Sequence, residues 1–165
     1  ILLPLARLLK EYKSNCVIIT TLNVSENKSL DRLFSQIKSE GLTHYIDNVG
    51  SVESKYIGSL FNQCDALLFP TLLESFGLPF YESMQSNTPI ITSDMDFARD
   101  ACGESAYYFD PFNENSIYNQ ITALFDDAAL KMNKIECGNN IIEKLPNWNC
   151  VYREYLKCID SQCGK

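Results

Sequence analysis

Residues 66–92 read ALLFPTLLESFGLPFYESMQSNTPIIT. A short apolar run, Ala66–Phe69, gives way to a loop, Pro70–Leu78, in which Glu74 precedes Phe-Gly-Leu-Pro. Pro79 then opens a helical stretch, PFYESMQS (79–86), since proline fits the first turn, where its missing N–H is not needed. PIIT (89–92) is a second apolar run. Two continuously apolar strands joined through a helix require a parallel pair covered on both faces.

The same alternation extends outward in both directions. Leu5, Leu8, Leu9 and Tyr12 recur at helical spacing, and CVIITTL (16–22) is a β-branched run. Leu30, Leu33, Phe34 and Ile37 mark a second helix that Glu40-Gly41 should stop. HYIDNV (44–49) reads as a strand, and Val52, Tyr56, Ile57 and Leu60 as a helix. Beyond residue 92 come a short helix near Phe97–Ala101, the strand AYYF (106–109), a helix through Ile117, Ile121, Leu124 and Phe125, and another over Ala129–Glu143. A last helix follows Pro146-Asn147-Trp148 and runs to about Ile159. The connections are too long for hairpins, and right-handed crossovers follow. The fold expected is α/β, a Rossmann-like doubly wound parallel sheet with helices on both faces, forming one domain over residues 1–165.

Composition narrows the function classes. The 165 residues carry a net charge of −7, and no basic run exceeds two residues, so the electrostatic footprint for nucleic acid is missing. No stretch of 18 apolar residues is present, so no transmembrane segment is expected. The start, ILLPLARLLKEYK, lacks the basic leader and cleavage site of a signal peptide and begins inside a helical pattern, as a piece of a longer chain would. Seven cysteines without a C-x-x-C pair read as reduced thiols in a cytoplasmic protein rather than zinc ligands or disulfides.

In open α/β sheets ligands bind beyond the carboxyl ends of the strands, where Pro70–Leu78 lies. Gly77 lets the backbone approach a ligand closely, and the N–H groups of Phe76, Gly77 and Leu78 point outward with the positive end of the helix dipole, a seat for a diphosphate. Glu82, one turn into the helix, leans back toward its N-terminus and suits a ribose diol. Glu74 stands across the turn, within reach of a sugar's hydroxyls. The two acids would then grip opposite ends of one sugar nucleotide. The plainer alternatives are a dipole partner at Glu82 and a solvated loop acid at Glu74.

The ordered set Pro70-Thr71, Glu74–Glu82, Thr88-Pro89-Ile90-Ile91 and Gly103 to Pro111 resembles the C-terminal domain of the retaining family-4 (group 1) glycosyltransferases, one half of the GT-B architecture. D-N-V-G (47–50) resembles their strand-end glycine that faces the nucleotide base. The resemblance covers most of residues 1–160. It implies that Glu74 acts at the transferred sugar, Phe76, Gly77 and Leu78 hold donor sugar and diphosphate, and Glu82, Val49 and Gly50 hold ribose and base. It also implies a UDP- or GDP-sugar donor, no cofactor or metal, and a glycan, lipid or small-molecule acceptor bound through an N-terminal domain lying outside this chain. Such an enzyme would work in glycan or polysaccharide synthesis, in the cytoplasm or peripherally at the inner membrane face, and this piece alone would be inactive.

Three departures from the family pattern stand out. Its diphosphate-neutralising Arg and Lys lie upstream of residue 1, its glycine-containing first loop is Thr21-Leu22-Asn23-Val24 here, and the glycine before Thr-Pro is Asn87, a mild change at a left-handed helix end. A sugar-nucleotide epimerase of the same architecture would need histidines where only His44 is available; a non-catalytic interaction domain is the other alternative. Ser93-Asp94 and Lys55 are weaker ligand candidates. His44, Tyr107-Tyr108 and Trp148 read as structural, and Asp126-Asp127 as a solvated face.

Overall fold

A computed structural model describes residues 1–24 and 27–163, side chains of 148, 162 and 163 excepted. Five parallel strands alternate with helices. They are β1 (Ile18–Thr20), β2 (Ile46–Asn48), β3 (Leu67–Phe69), β4 (Ile90–Ser93) and β5 (Ala106–Phe109). Helices α1 (Leu2–Glu11), α2 (Lys28–Ser39), α3 (Ser54–Phe61), α4 (Leu78–Gln85) and α5 (Asp96–Cys102) intervene, the last followed by a single 3-10 turn, Gly103–Ser105. Then α6 (Glu114–Asp126), α7 (Ala128–Lys144) and α8 (Trp148–Cys163) complete the chain's described part.

The expected α/β class holds, with one refinement. The backbone ladder divides into a pair, β1-β2, and a triplet, β3-β4-β5, rather than one continuous sheet. Both are parallel, and the triplet register runs Leu67↔Ile90↔Ala106 and Phe69↔Thr92↔Tyr108. Side chains join the two ladders: Ile18 of β1 packs against the core containing Leu68 and Ile91.

Strand side chains alternate strictly between two faces. Leu68, Ile91, Tyr107 and Phe109 meet Leu5 of α1 and Ile117 and Leu124 of α6. Leu67, Phe69, Ile90, Ala106 and Tyr108 meet Phe80 and Met84 of α4, Ala98 and Cys102 of α5, and Ile141 of α7. Burial on both sides explains why these strands are apolar throughout instead of alternating. The thiol of Cys102, enclosed in that second layer, is pushed up to about 12 by burial. A third cluster, Ala6, Ile37, Leu42 and Ile46, closes α1 and α2 over β2.

Helix ends follow their sequence signals. Gly41 takes φ +64 after α2, and Leu42 N–H bonds back to Ile37 O. At the end of α4, Asn87 takes φ +54 while Thr88 N–H reaches Ser83 O at 2.9 Å, a Schellman closure with asparagine in the glycine position. Asn139 Nδ2 donates to Asn87 Oδ1 at 2.9 Å and ties this corner to α7. Asp126 and Asp127 are both exposed, as expected of a solvated face, and the Asp127 carboxylate in addition accepts from Leu130 N–H at 2.8 Å and caps α7.

Arg7 on α1 clasps the end of α2 through a two-pronged pair with Glu40, both bonds 2.7 Å. The hydrogen bonds from Arg7 and then Gln36 hold the Glu40 carboxyl at about 2, against an ordinary value of 4.5. A carboxylate depressed in the folded state contributes stability above its unfolded value and loses it as pH falls through the folded one. The wild-type advantage over Glu40→Gln should therefore be full at pH 6 and shrink between about 4.5 and about 2. Urea midpoints across that range check it; parallel curves for the two proteins would refute it.

No helix among the described residues is long and apolar enough to cross a membrane. The six cysteines whose side chains are described are all free thiols.

Candidate functional site

Strands run parallel within each ladder, so the loops at 21–24 and 49–53 lie at the carboxyl end of β1-β2, and those at 70–77, 94–95 and 110–113 at the carboxyl end of the triplet. Loop 70–77 is the longest. Thr71 Oγ1 donates to Leu73 O at 2.9 Å and turns the chain early in the loop. Ser75 N–H donates to Glu74 Oε1 at 2.9 Å, which sets the Glu74 carboxylate and leaves its second oxygen without a described partner.

Gly77 decides how the loop enters α4. Its φ of +74 and ψ of 47 are left-handed, a region that side chains oppose. A Cβ here would stand 2.6 Å from Phe80 Cδ2 and 2.9 Å from Cε2. Glycine is thus required twice over, by its torsion and by the Phe80 ring tucked beneath it. The helix begins at Leu78, so Pro79 occupies its second position, not the expected first. The shift arises because Gly77 serves as the cap residue, its carbonyl accepting from Phe80 N–H at 2.9 Å.

That entry leaves three successive N–H groups, on Phe76, Gly77 and Leu78, without a hydrogen-bond acceptor among the described residues. They lie at the positive end of α4. Glu82, half-buried, sits one turn further along, opposite the buried pair Phe80 and Met84, and its carboxylate also has no described partner. At the β2 edge, Asn48 holds the first loop by accepting from Thr20 Oγ1 at 2.9 Å and Leu22 N–H at 3.0 Å. Val49 is half exposed there, and Gly50 turns away at φ +74 with open space where a Cβ would stand.

The predicted residues divide into two groups. Glu74 and Phe76 meet in a cleft of about 250 Å³, with Ser75 beside them, Tyr81 of α4, and Phe97 and Asp100 of α5 completing its walls. Gly77, Leu78 and Glu82, which follow β3, and Val49 and Gly50, which follow β2, do not line this cleft. Tyr81, Phe97 and Asp100 escaped the sequence reading. The available signal was Phe97, Asp100 and Ala101 at i, i+3 and i+4 on one face of α5.

The weaker candidates resolve plainly. Asp94 is bound by both prongs of Arg99, which lowers its carboxyl below the usual range, while Arg99 lies 4.3 Å over Tyr108. Ser93 Oγ is buried on the α6 side of the sheet without a described partner. Lys55 pairs with Glu53 at 2.8 Å. His44 is exposed and makes an edge contact with Tyr45. Tyr107 and Tyr108 pack in the two core layers; the packing role expected of Trp148 falls on a side chain outside those described. Among the described residues no group of three metal-ligating side chains assembles.

Parallel α/β ladders with helices on both faces define a domain of the Rossmann-like α/β class. The chain belongs to the glycosyl transferases group 1 family, whose profile matches residues 1–141. It is 27% identical over 125 residues to the O-antigen chain mannosyltransferase RfbU of Salmonella typhimurium, covering 73% of this chain and 35% of that protein. It superposes on a glycosyltransferase from Rickettsia africae with a TM-score of 0.79 at 16% identity, over 95% of this chain and 42% of the other. The corresponding figures for Anabaena HepE, crystallised with UDP and glucose, are 0.73, 18%, 88% and 40%. For the C-terminal domain of the group 1 protein LpcC from Francisella tularensis they are 0.67, 22%, 84% and 73%. The chain thus has the GT-B-type domain fold and spans about a third of the curated relative's length.

Proposed function

We propose that this chain is the C-terminal, donor-binding half of a two-domain family-4 glycosyltransferase that transfers a sugar from a nucleoside diphosphate with retention of configuration. One observation carries the reading: three consecutive amide hydrogens at the start of α4 lack acceptors among the described residues, held outward by a glycine that cannot be replaced. A diphosphate supplies the acceptors and the negative charge that this terminus favours. On this reading Phe76, Gly77 and Leu78 hold the diphosphate, Glu82 accepts from the ribose hydroxyls, Val49 and Gly50 line the base, and Glu74 holds the transferred sugar.

The mechanism follows from these positions. Donor amides aimed at the leaving diphosphate stabilise the charge that grows there as the glycosidic bond breaks. Glu74, on the sugar side, supports the positive charge that develops on the ring. The acceptor approaches the same face and gives its proton to the departing diphosphate, which preserves configuration. A hydrolase pair of Glu74 and Glu82 is disfavoured, because both acids flank a helix terminus suited to a phosphate group. The donor is a UDP- or GDP-sugar, in keeping with the UDP in the HepE structure. The acceptor is a glycan, lipid or small molecule held by the preceding half, and the O-antigen relative supports a role in polysaccharide synthesis. Free thiols fit the cytoplasmic setting.

Calorimetry with free UDP and free GDP tests the assignment. One of them should bind, and Glu82→Ala should weaken it by about tenfold, the loss of a charge-assisted hydrogen-bond pair at a half-buried carboxylate. Equal affinities for both proteins would remove the ribose assignment.

A further inference from the structure

The three amides at the start of α4 are not held equally. Gly77 O accepts from Phe80 N–H at 2.9 Å, which fixes the peptide plane carrying Leu78 N–H. On the other side, Ser75 N–H donates to Glu74 Oε1 at 2.9 Å and fixes the plane that carries it. Between them lie the two planes that carry Phe76 N–H and Gly77 N–H. Among the described residues no hydrogen bond reaches either plane, whether at an amide or at the carbonyls of Ser75 and Phe76. Both planes meet at one atom, the Cα of Phe76.

That atom is anchored through its side chain. The Phe76 ring, 61% exposed, lies tilted against the Tyr81 ring, with centroids 5.1 Å apart and planes 30° apart. Tyr81 is half-buried on α4 and packs against the core layer of Phe80, Met84, Ala98 and Cys102. A loop side chain without such a partner exchanges among rotamers, and its backbone follows. Here the outer ring rests on one that the core holds still. The turn is thus supported from two consecutive residues of α4: the Phe80 ring lies beneath Gly77, and the Tyr81 ring beneath Phe76.

We propose that Tyr81 is a positioning residue of the donor site, acting through the Phe76 ring to aim the amide hydrogens of Phe76 and Gly77 at the diphosphate. Donors aimed in advance need no reorganisation as charge develops on the ligand. The operative part of Tyr81 is its ring, since its hydroxyl has no hydrogen-bond partner among the described residues. The inference rests on the donor-site reading for the identity of the ligand, but the hold on the two amides is measurable without one.

The test uses the 165-residue chain and has two arms. In nitrogen-15 relaxation, Tyr81→Leu should lower the order parameters of the Phe76 and Gly77 amides from the rigid range, about 0.85, toward the flexible one, below about 0.6. Leu78, held by the Gly77–Phe80 bond, should stay rigid, and Tyr81→Phe should match the wild type at all three. Ile141→Val, a trim on α7 in the same core layer, should lower the unfolding temperature and leave all three amides unchanged. In calorimetry with free UDP and free GDP, Tyr81→Leu should weaken the nucleotide that binds by about three- to tenfold, the worth of one aromatic pair. Phe76→Leu should do the same, and the double variant should be no weaker than either single one. The proposal falls if Tyr81→Leu leaves the Phe76 and Gly77 amides rigid, if Tyr81→Phe is impaired like Tyr81→Leu, or if the two Leu substitutions add. Wild type binding neither nucleotide would instead remove the donor-site reading, and the relaxation arm would still decide whether Tyr81 holds the two amides.

Discussion

Gly77→Ala should destabilise the domain by about 3 kcal/mol and abolish nucleotide binding. Two costs combine: about 1–2 kcal/mol for a side chain held in the left-handed region, and about 1–3 kcal/mol for forcing a methyl into a filled core. The second cost is specific to this site. The new Cβ meets Phe80 Cδ2 at 2.6 Å, and Phe80 cannot swing aside, being fully buried and set edge-on to Phe69 with centroids 5.1 Å apart. Gly50 supplies the control. It shares φ +74, but a methyl added there would meet nothing within 4 Å, so Gly50→Ala should cost only the torsional part, about 1–2 kcal/mol. Thermal unfolding should fall by about 6–12 °C for Gly77→Ala. If the Phe80 clash is real, Gly77→Ala should cost at least about 1 kcal/mol less in a Phe80→Leu background than in the wild type. Strict additivity would show that the ring moves freely and that the torsion alone matters.

The same residue shows what the sequence made legible. Glycine before Leu-Pro marked a close backbone approach, and this is where the chain turns into α4. The second reason for glycine, the ring three residues later, depends on which face of α4 meets the sheet and lies beyond local pattern. Asn87 could be read as a left-handed helix end because it stands where the family pattern has glycine and asparagine tolerates that conformation, and its φ of +54 agrees. Lys13 takes φ +50 after α1 with no such signal, since the closure from Ser14 N–H to Leu9 O is set by packing rather than residue type. Strands were recognisable as apolar runs, but their paired lengths were not: CVIITTL keeps only Ile18–Thr20 in the ladder, because pairing reaches only as far as β2 offers partners. The separation of β1-β2 from β3-β4-β5 is a matter of backbone distance that no pattern of apolar residues encodes. The cleft was half legible. Glu74 and Phe76 belong to one motif, whereas Tyr81, Phe97 and Asp100 join them only because α4 and α5 lie side by side on one face of the triplet.

In the two-domain enzyme proposed above, Glu74→Gln should lower kcat by about two to three orders of magnitude, the usual cost of losing a charge aimed at the transition state. The substitution is chosen to spare the ground state. Glutamine keeps an Oε1 that can accept from Ser75 N–H, so the loop should hold its course into Gly77. The amide hydrogens of Phe76, Gly77 and Leu78 are untouched, and free UDP or GDP should bind as before. Glu82→Gln should behave in the opposite way, with weaker nucleotide binding, a raised KM and a smaller change in kcat, because a ribose contact is made equally before and during transfer. The split between the two variants is the discriminating quantity. Initial rates at saturating donor report the kcat arm, and calorimetry with the free nucleotide reports the other. If Glu74→Gln and Glu82→Gln each lowered both quantities alike, the two acids would be acting on one shared part of the ligand. The separation of Glu74, inside the cleft, from Glu82, outside it, would then have no functional meaning.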